Sequence, residues 1–302
     1  MRNLKKIVIG SLIAVAIFTS CRDHETPEGE GTLITLSSRL NMHSKSTLQD
    51  VQIEEGQKVG ILVTKAGSPE TMLYVNEELT ADGDGNFTCS TPMYYPITGD
   101  NVDMYAYHPY TGGIATSFEI QADQTSESNY LNSDLLFASV SDVAKSSAAV
   151  QMAFTHKLSK VNFTIKEGDG MDLSNLSNVE ILNVLPEVGF SLITGAITAA
   201  SGTPTAIQTY GVRGVEEEEG EVSGISAIIT PQQFVTGSQL FKITINGNTE
   251  EEVSFIYTLL EDFDFEEGKK YDITITVNNT SITTKSTISD WEITDPFEGV
   301  IE

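Results

Sequence analysis

From Leu33 onward the chain alternates apolar and polar residues in short runs bounded by Gly, Asn, Asp and Pro, the period-two pattern of half-buried strands. The clearest runs are residues 33–40, 59–64, 72–79, 102–107, 150–154 and 158–165, followed by 179–185, 225–229, 241–245, 253–259, 271–277 and 288–293. In Phe241, Ile243 and Ile245, and again in Tyr271, Ile273, Ile275 and Val277, every second side chain is apolar or aromatic, so these sets are expected to line a core. Helical periodicity is scarce. Parallel strands need long, usually helical, crossovers, and none is visible, so the pattern predicts an all-β protein of antiparallel sandwiches. Asp82-Gly83-Asp84-Gly85-Asn86 reads as a tight turn, and the four adjacent glutamates before Gly220 read as a solvated loop because like charges cannot be buried together cheaply.

The first residues break this pattern. Lys5-Lys6 precede an almost unbroken apolar stretch, Ile7 to Phe18, and then Thr19-Ser20-Cys21. Basic, apolar and small residues in that order form a secretory leader, and the apolar stretch falls short of the roughly 18 residues that span a bilayer. Residues 1–20 are expected to be cleaved as a lipoprotein signal peptide, with Cys21 taking the lipid; its placement favours this over an ordinary leader with an incidental cysteine. Each buried acyl methylene adds about 0.8 kcal/mol, so several chains hold a folded body at a membrane without a spanning helix. Residues 21–31, polar and rich in Glu and Gly, then form a flexible tether.

Charge narrows the partners. The chain of 302 residues carries a formal charge of −26, and cleavage of residues 1–20 would remove only Arg2, Lys5 and Lys6 among its charged side chains. Nucleic acid is repelled by such a surface, and anionic lipid is not attracted to it, so a membrane link must rest on acyl chains. The length allows two domains of ordinary size or one large sandwich, and a division near residues 150–158 would give similar halves, although no linker composition marks it. With Cys21 acylated, Cys89 has no cysteine left to pair with, so stability must come from packed apolar area.

Catalytic and cofactor motifs are missing. The four histidines, His24, His43, His108 and His156, show no metal-ligand spacing, and there is no Gly-x-Ser-x-Gly elbow, phosphate loop or dinucleotide fingerprint. Asp262 and Asp264 carry little weight as a glycosidase pair in so acidic a chain. The Asp82–Asn86 run resembles a calcium loop but lacks the bidentate glutamate downstream, which favours a hairpin turn. Tyr94, Tyr95, Tyr105, Tyr107 and Tyr110 have the chemistry to stack on sugars, yet tyrosines on strands more often fill a core. Neither an enzyme nor a bound cofactor or metal is expected.

A series of segments resembles the fimbrillin family of lipoproteins, the subunits of type V pili. They are Asp84-Gly85-Asn86-Phe87, Pro92 with Tyr94-Tyr95-Pro96, Val102-Asp103-Met104-Tyr105-Ala106-Tyr107-His108-Pro109-Tyr110 and Asp134-Leu135-Leu136-Phe137-Ala138. Phe154-Thr155-His156-Lys157-Leu158-Ser159-Lys160-Val161, Ile229-Thr230-Pro231-Gln232, Glu267-Gly268-Lys269-Lys270-Tyr271 and Ile288 with Trp291 continue the series across nearly the whole chain after the leader. The resemblance implies two antiparallel β-sandwich (transthyretin-like) domains in tandem, at residues 32–155 and 156–302. It also implies export as a lipoprotein, an outer-membrane and surface location, and polymerisation with other fimbrial subunits after proteolysis behind an arginine in the first strand. Arg39 matches that arginine, whereas cleavage at Arg22 would release only a tether. The candidate donor strand is residues 287–297, with Ile288, Trp291, Ile293 and Phe297.

Strand addition explains how such a joint would hold. Ile34 and Leu36 share one face, with Leu40 next in the same parity, so losing this segment would uncover apolar neighbours and an unpaired row of backbone groups. A replacement burying four or five apolar side chains gains on the order of 10 kcal/mol gross, at about 1.5–3 kcal/mol each. Ile288 differs in parity from Trp291 and Ile293, so the three face one way only across a bulge, and Pro296 cannot donate a ladder hydrogen bond. The competing expectation is a surface lipoprotein that never polymerises and binds glycans through exposed tyrosines or Trp291; a host or bacterial surface ligand is a further expected partner.

Overall fold

The computed structural model describes residues 31–40, 53–212, 217–218, 220–278 and 281–291. The first half contains β1 (Leu36–Leu40), β2 (Lys58–Lys65), β3 (Ser68–Ala81), β4 (Phe87–Cys89), β5 (Val102–His108), β6 (Ser117–Glu119), α1 (Glu127–Leu131), β7 (Leu136–Val143) and β8 (Val150–His156). Seven of these strands form one sheet in the order β1-β8-β7-β5-β2-β3-β4. The five-residue helix is capped by Ser126, whose hydroxyl accepts from the Asn129 N–H at 3.2 Å.

The central strands of this sheet depart from simple alternation. Six consecutive residues of β2, Val59 to Thr64, and all seven of β5 are buried. The reason is that both faces are covered. Val59, Ile61 and Val63, with Met104 and Ala106, face one apolar cluster, while Leu62, Tyr105 and Tyr107 face a second that is built mainly from the rest of the chain. Strands buried on both faces read as continuous apolar runs, which is how Val59 to Val63 reads.

The second half contains β9 (Ser159–Glu167), β10 (Leu176–Val184), β11 (Glu187–Gly189), β12 (Thr205–Gln208), β13 (Glu217–Glu218), β14 (Glu221–Ile229), β15 (Gln232–Phe234), β16 (Gln239–Ile245), β17 (Val253–Thr258), β18 (Phe263–Phe265), β19 (Lys269–Asn278) and β20 (Ser281–Asp290). A four-stranded sheet, β12-β10-β16-β17, and a five-stranded sheet, β13-β14-β9-β19-β20, carry most of it. Their facing side chains follow the period of two: Phe241, Ile243 and Ile245 on β16 and Tyr271, Ile273, Ile275 and Val277 on β19 are all buried in one cluster. Phe163 of β9 meets Phe241 edge-on at 5.2 Å, an aromatic contact between the two sheets. Two-stranded ladders join β6 to β11 and β15 to β18.

The protein is all-β apart from α1 among the described residues, and most ladders are antiparallel, as the pattern predicts. Two are not: β1 runs parallel to β8, and β9 runs parallel to β19. The crossovers that make this possible are built from intervening strands rather than helices, so the absence of helical periodicity did not exclude them. Glu217 and Glu218 form a short antiparallel ladder with β14 where a loop was expected. Among the described residues, no helix is long and apolar enough to cross a membrane.

Candidate functional site

The first strand lies in a gap between the two edges of its own sheet. On one side β1 pairs with β8, Leu36 opposite Val150 through Leu40 opposite Phe154. On the other side lie the end of β3, β4 and the loop after it. There the Ser38 N–H donates to Gly85 O at 2.7 Å, the Ile34 N–H to Met93 O at 2.8 Å, and the Tyr95 N–H to Thr32 O at 3.0 Å. Backbone partners on both flanks hold residues 32–40, and the pleat turns Ile34 and Leu36, each 5% exposed, into the apolar cluster while Leu33 and Thr35 face outward. A cavity of about 140 Å³ remains beside them, lined in part by Leu36, Leu79, Phe87, Cys89 and Met93.

The far wall of the gap is positioned by the predicted turn. Asp82 Oδ1 accepts from the N–H groups of Asp84 (2.8 Å) and Asn86 (2.9 Å), and Oδ2 accepts from Asn86 Nδ2 at 2.9 Å. These hydrogen bonds, that of the Asn86 side chain foremost, hold the Asp82 carboxyl below its ordinary pKa. Gly85 adopts φ +90° there, and a Cβ would stand 3.2 Å from Ser38 O, so the turn needs glycine to approach β1. The turn joins the antiparallel pair β3 and β4, Ala81 opposite Phe87, and is therefore a hairpin turn; no group of three or more His, Cys, Asp or Glu residues suited to a metal occurs among the described residues.

Arg39 is exposed on β1 opposite Ala153, and among the described residues it makes no ion pair. Its bond to Leu40 lies at the last ladder position, opposite Phe154. Cys21, Ile293 and Phe297 lie outside the described residues.

The other two candidate donor residues sit on or beside β20, which pairs with β19 over ten positions without a register slip. Ile288 is 55% exposed, whereas Trp291 is 4% exposed, as their opposite parity requires when no bulge intervenes. Trp291 is docked against its own chain. Its ring stacks on His156 with centroids 3.6 Å apart at 11°, its backbone N–H donates to Gly268 O at 2.8 Å, and Lys160 Nζ lies 5.6 Å from the ring.

That contact belongs to a buried polar cluster that spacing along the chain did not reveal. His156 Nδ1 lies 2.9 Å from Asp134 Oδ1, His108 Nδ1 lies 3.0 Å from Asp134 O, and His108 Nε2 lies 3.2 Å from Gln57 Oε1. Burial pushes the His108 imidazole below its ordinary pKa of 6.5. These hydrogen bonds give the histidines a structural role at the junction of β5, β8 and the segment leading into β7. The tyrosines behave mostly as core residues: Tyr95, Tyr105 and Tyr107 are buried, and Tyr94 alone of the five is exposed, at 42%. Asp262 Oδ1 accepts from the Thr236 N–H and hydroxyl, and so serves a loop contact.

The chain as a whole is similar to known proteins. A family model described as fimbrillin-like matches residues 45–291. A protein of Bacteroides uniformis named as a candidate fimbrium subunit, Fim1C, is 23% identical, with 95% of each chain covered. Among solved structures, a candidate cell adhesion protein from Bacteroides uniformis superimposes with TM-score 0.62 at 22% identity, covering 86% of this chain and 98% of that one. Another from Bacteroides ovatus gives TM-score 0.63 at 18% identity, covering 88% and 99%.

Proposed function

The chain belongs to the fimbrillin-like family, and from that premise we propose that it is a non-enzymatic structural and adhesive subunit of a fimbrium. In this reading it reaches the outer membrane as a lipoprotein acylated at Cys21, and its first strand is removed by cleavage after Arg39. The vacated groove then receives a strand from another subunit. The two domains of the reading are residues 32–155 and 156–302; in its support, the seven-stranded sheet takes its strands from β1 to β8 and the four- and five-stranded sheets take theirs from β9 onward, although the β6–β11 ladder joins the two parts.

One observation carries the proposal: the first strand fills a gap between sheet edges and buries Ile34 and Leu36 in it. Its loss would leave an apolar trough and unpaired N–H and C=O groups on two flanks, a state that strand addition relieves. Arg39, exposed and near the end of β1, is where an arginine-specific peptidase would separate that strand from the body. Because Trp291 is docked internally, the reading places the donated part of the C-terminal stretch beyond it, at Ile293 and Phe297.

The test is to treat the purified full chain with an arginine-specific protease, confirm the new N-terminus at Leu40 by mass spectrometry, and run unboiled, non-reducing gels. A ladder of oligomers that collapses on boiling is the expected result. Protein that stays monomeric after complete cleavage would overturn strand exchange among copies of this chain. Replacing Cys21 by Ser is expected to abolish incorporation of a palmitate analogue and to release the protein from membranes; retention there would overturn lipid anchoring.

A further inference from the structure

An open cleft of about 810 Å³ lies over the outer face of the four-stranded sheet, far along the chain from the first-strand groove. Its volume falls in the ~300–1,000 Å³ range of small-molecule sites. Register explains its floor. Glu180 on β10 stands opposite Gln208 on β12 and opposite Lys242 on β16, so three long polar side chains form one row across three strands. Two residues along β10, on the same face, Asn178 stands opposite Thr244 of β16.

The segment after β12 raises one wall. Tyr210 exchanges backbone hydrogen bonds of 2.8 and 3.0 Å with Ser226, and its ring stacks on Tyr130 at 5.1 Å. Gly211, at φ +87°, packs so closely that a Cβ would stand 2.3 Å from Gly224 O. Tyr210 and Val212 therefore line a braced wall. Opposite it, the β16–β17 hairpin is pinned where the Gly247 N–H donates to Ser177 Oγ at 2.9 Å and the Asn248 N–H to Glu252 Oε2 at 2.9 Å.

The floor is underused as a hydrogen-bonding surface. Glu180 is only 9% exposed, and its Oε2, shielded from water, lies 3.0 Å from Lys242 Nζ but outside hydrogen-bond geometry. Among the described residues, the side-chain amides of Asn178 and Gln208 hold no partner.

We propose that this cleft is a binding site for an uncharged, polyhydroxylated ligand, a short neutral saccharide. The carboxylate and ammonium of the floor offset each other, which disfavours a strongly charged ligand. The two free amides each present donor and acceptor to vicinal hydroxyls. Tyr210 and Val212 offer the apolar wall against which the C–H face of a sugar packs. The strongly acidic chain disfavours sialylated or sulfated glycans. The site does not depend on polymerisation and is present before any cleavage at Arg39.

The full, uncleaved chain is to be applied to an array of neutral and acidic saccharides, with positive spots repeated by calorimetry. Binding to at least one neutral saccharide is expected. Glu180→Gln and Gln208→Ala should each weaken it at least tenfold, and Tyr94→Ala, remote from the cleft, should leave it unchanged. Gln208 is exposed, so its variant should keep the parent melting temperature and carries the test alone should Glu180→Gln misfold. No binding to any neutral saccharide, binding to acidic glycans alone, or binding that survives Gln208→Ala would overturn the assignment. Since the protein tested is the uncleaved chain, failure here leaves the subunit reading untouched, and failure of the cleavage ladder leaves this one untouched.

Discussion

Replacing Leu36 by Ala isolates the energetics of the first strand. Leu36 is 5% exposed, and Leu→Ala changes at buried sites cost about 2–5 kcal/mol, more where a larger cavity is left. The existing cavity beside Leu36 means that part of its surroundings already lacks partner atoms, which places the cost near the lower end, about 2 kcal/mol. A protease needs several residues free of their ladder, so cleavage after Arg39 proceeds through detachment of β1. With reclosure faster than cleavage, the rate follows the detached population. A loss of about 2 kcal/mol raises that population roughly 30-fold at 25 °C, at ~1.4 kcal/mol per factor of ten. The assay is the initial rate of appearance of the Leu40 N-terminus under dilute arginine-specific protease, with linearity in protease concentration establishing the regime. Leu33→Ala, at a position 44% exposed, provides the comparison and should change the rate less than about twofold. Equal rates for the Leu36 variant and the parent would refute the argument, because the scissile bond would then be reached without uncovering the groove.

Gly85→Ala forces a β-carbon into a φ of +90° and toward Ser38 O, a strain of about 1–3 kcal/mol. It should speed cleavage after Arg39, whereas Gly56→Ala, equally left-handed but facing open space, should lower the melting temperature without that effect. Trp291→Ala should cost about 3–5 kcal/mol and lower the melting temperature by roughly 10 °C in calorimetry, since it removes a stacked, buried ring. His108 is held below its ordinary pKa of 6.5 by burial, so the unfolded chain takes up a proton as pH falls through about 6.5 while the folded chain does not. Stability should therefore decline as pH drops below that value. Urea midpoints at pH 7.5 and 5.5, followed by the fluorescence of the lone Trp291, should differ less for His108→Gln than for the parent.

The alternation is plain in the residue pattern of β19, whose odd-numbered side chains from Tyr271 to Val277 are buried while those between them are not. In β2 and β5 the alternation is lost because a second apolar cluster covers the other face, and which sheet faces which is not written locally. The three-residue strands β6, β11, β15 and β18 exist only as partners of one another. Their pairing is tertiary, so local periodicity carries no sign of them. At the groove, the parity of Ile34 and Leu36 and the glycines of the Asp82–Asn86 turn were legible. The meeting of His108, Asp134 and His156 was not, nor was the row of Gln208, Glu180 and Lys242, because each depends on register between strands far apart in the chain.

The shared direction of β1 and β8 constrains any fibre this protein builds. A substitute that reproduces the same ladder along β8 must enter with the same heading as the piece it replaces, since reversing it would change the hydrogen-bond pattern from slanted to perpendicular. A donor strand that entered with the opposite heading would have to find a different register on β8.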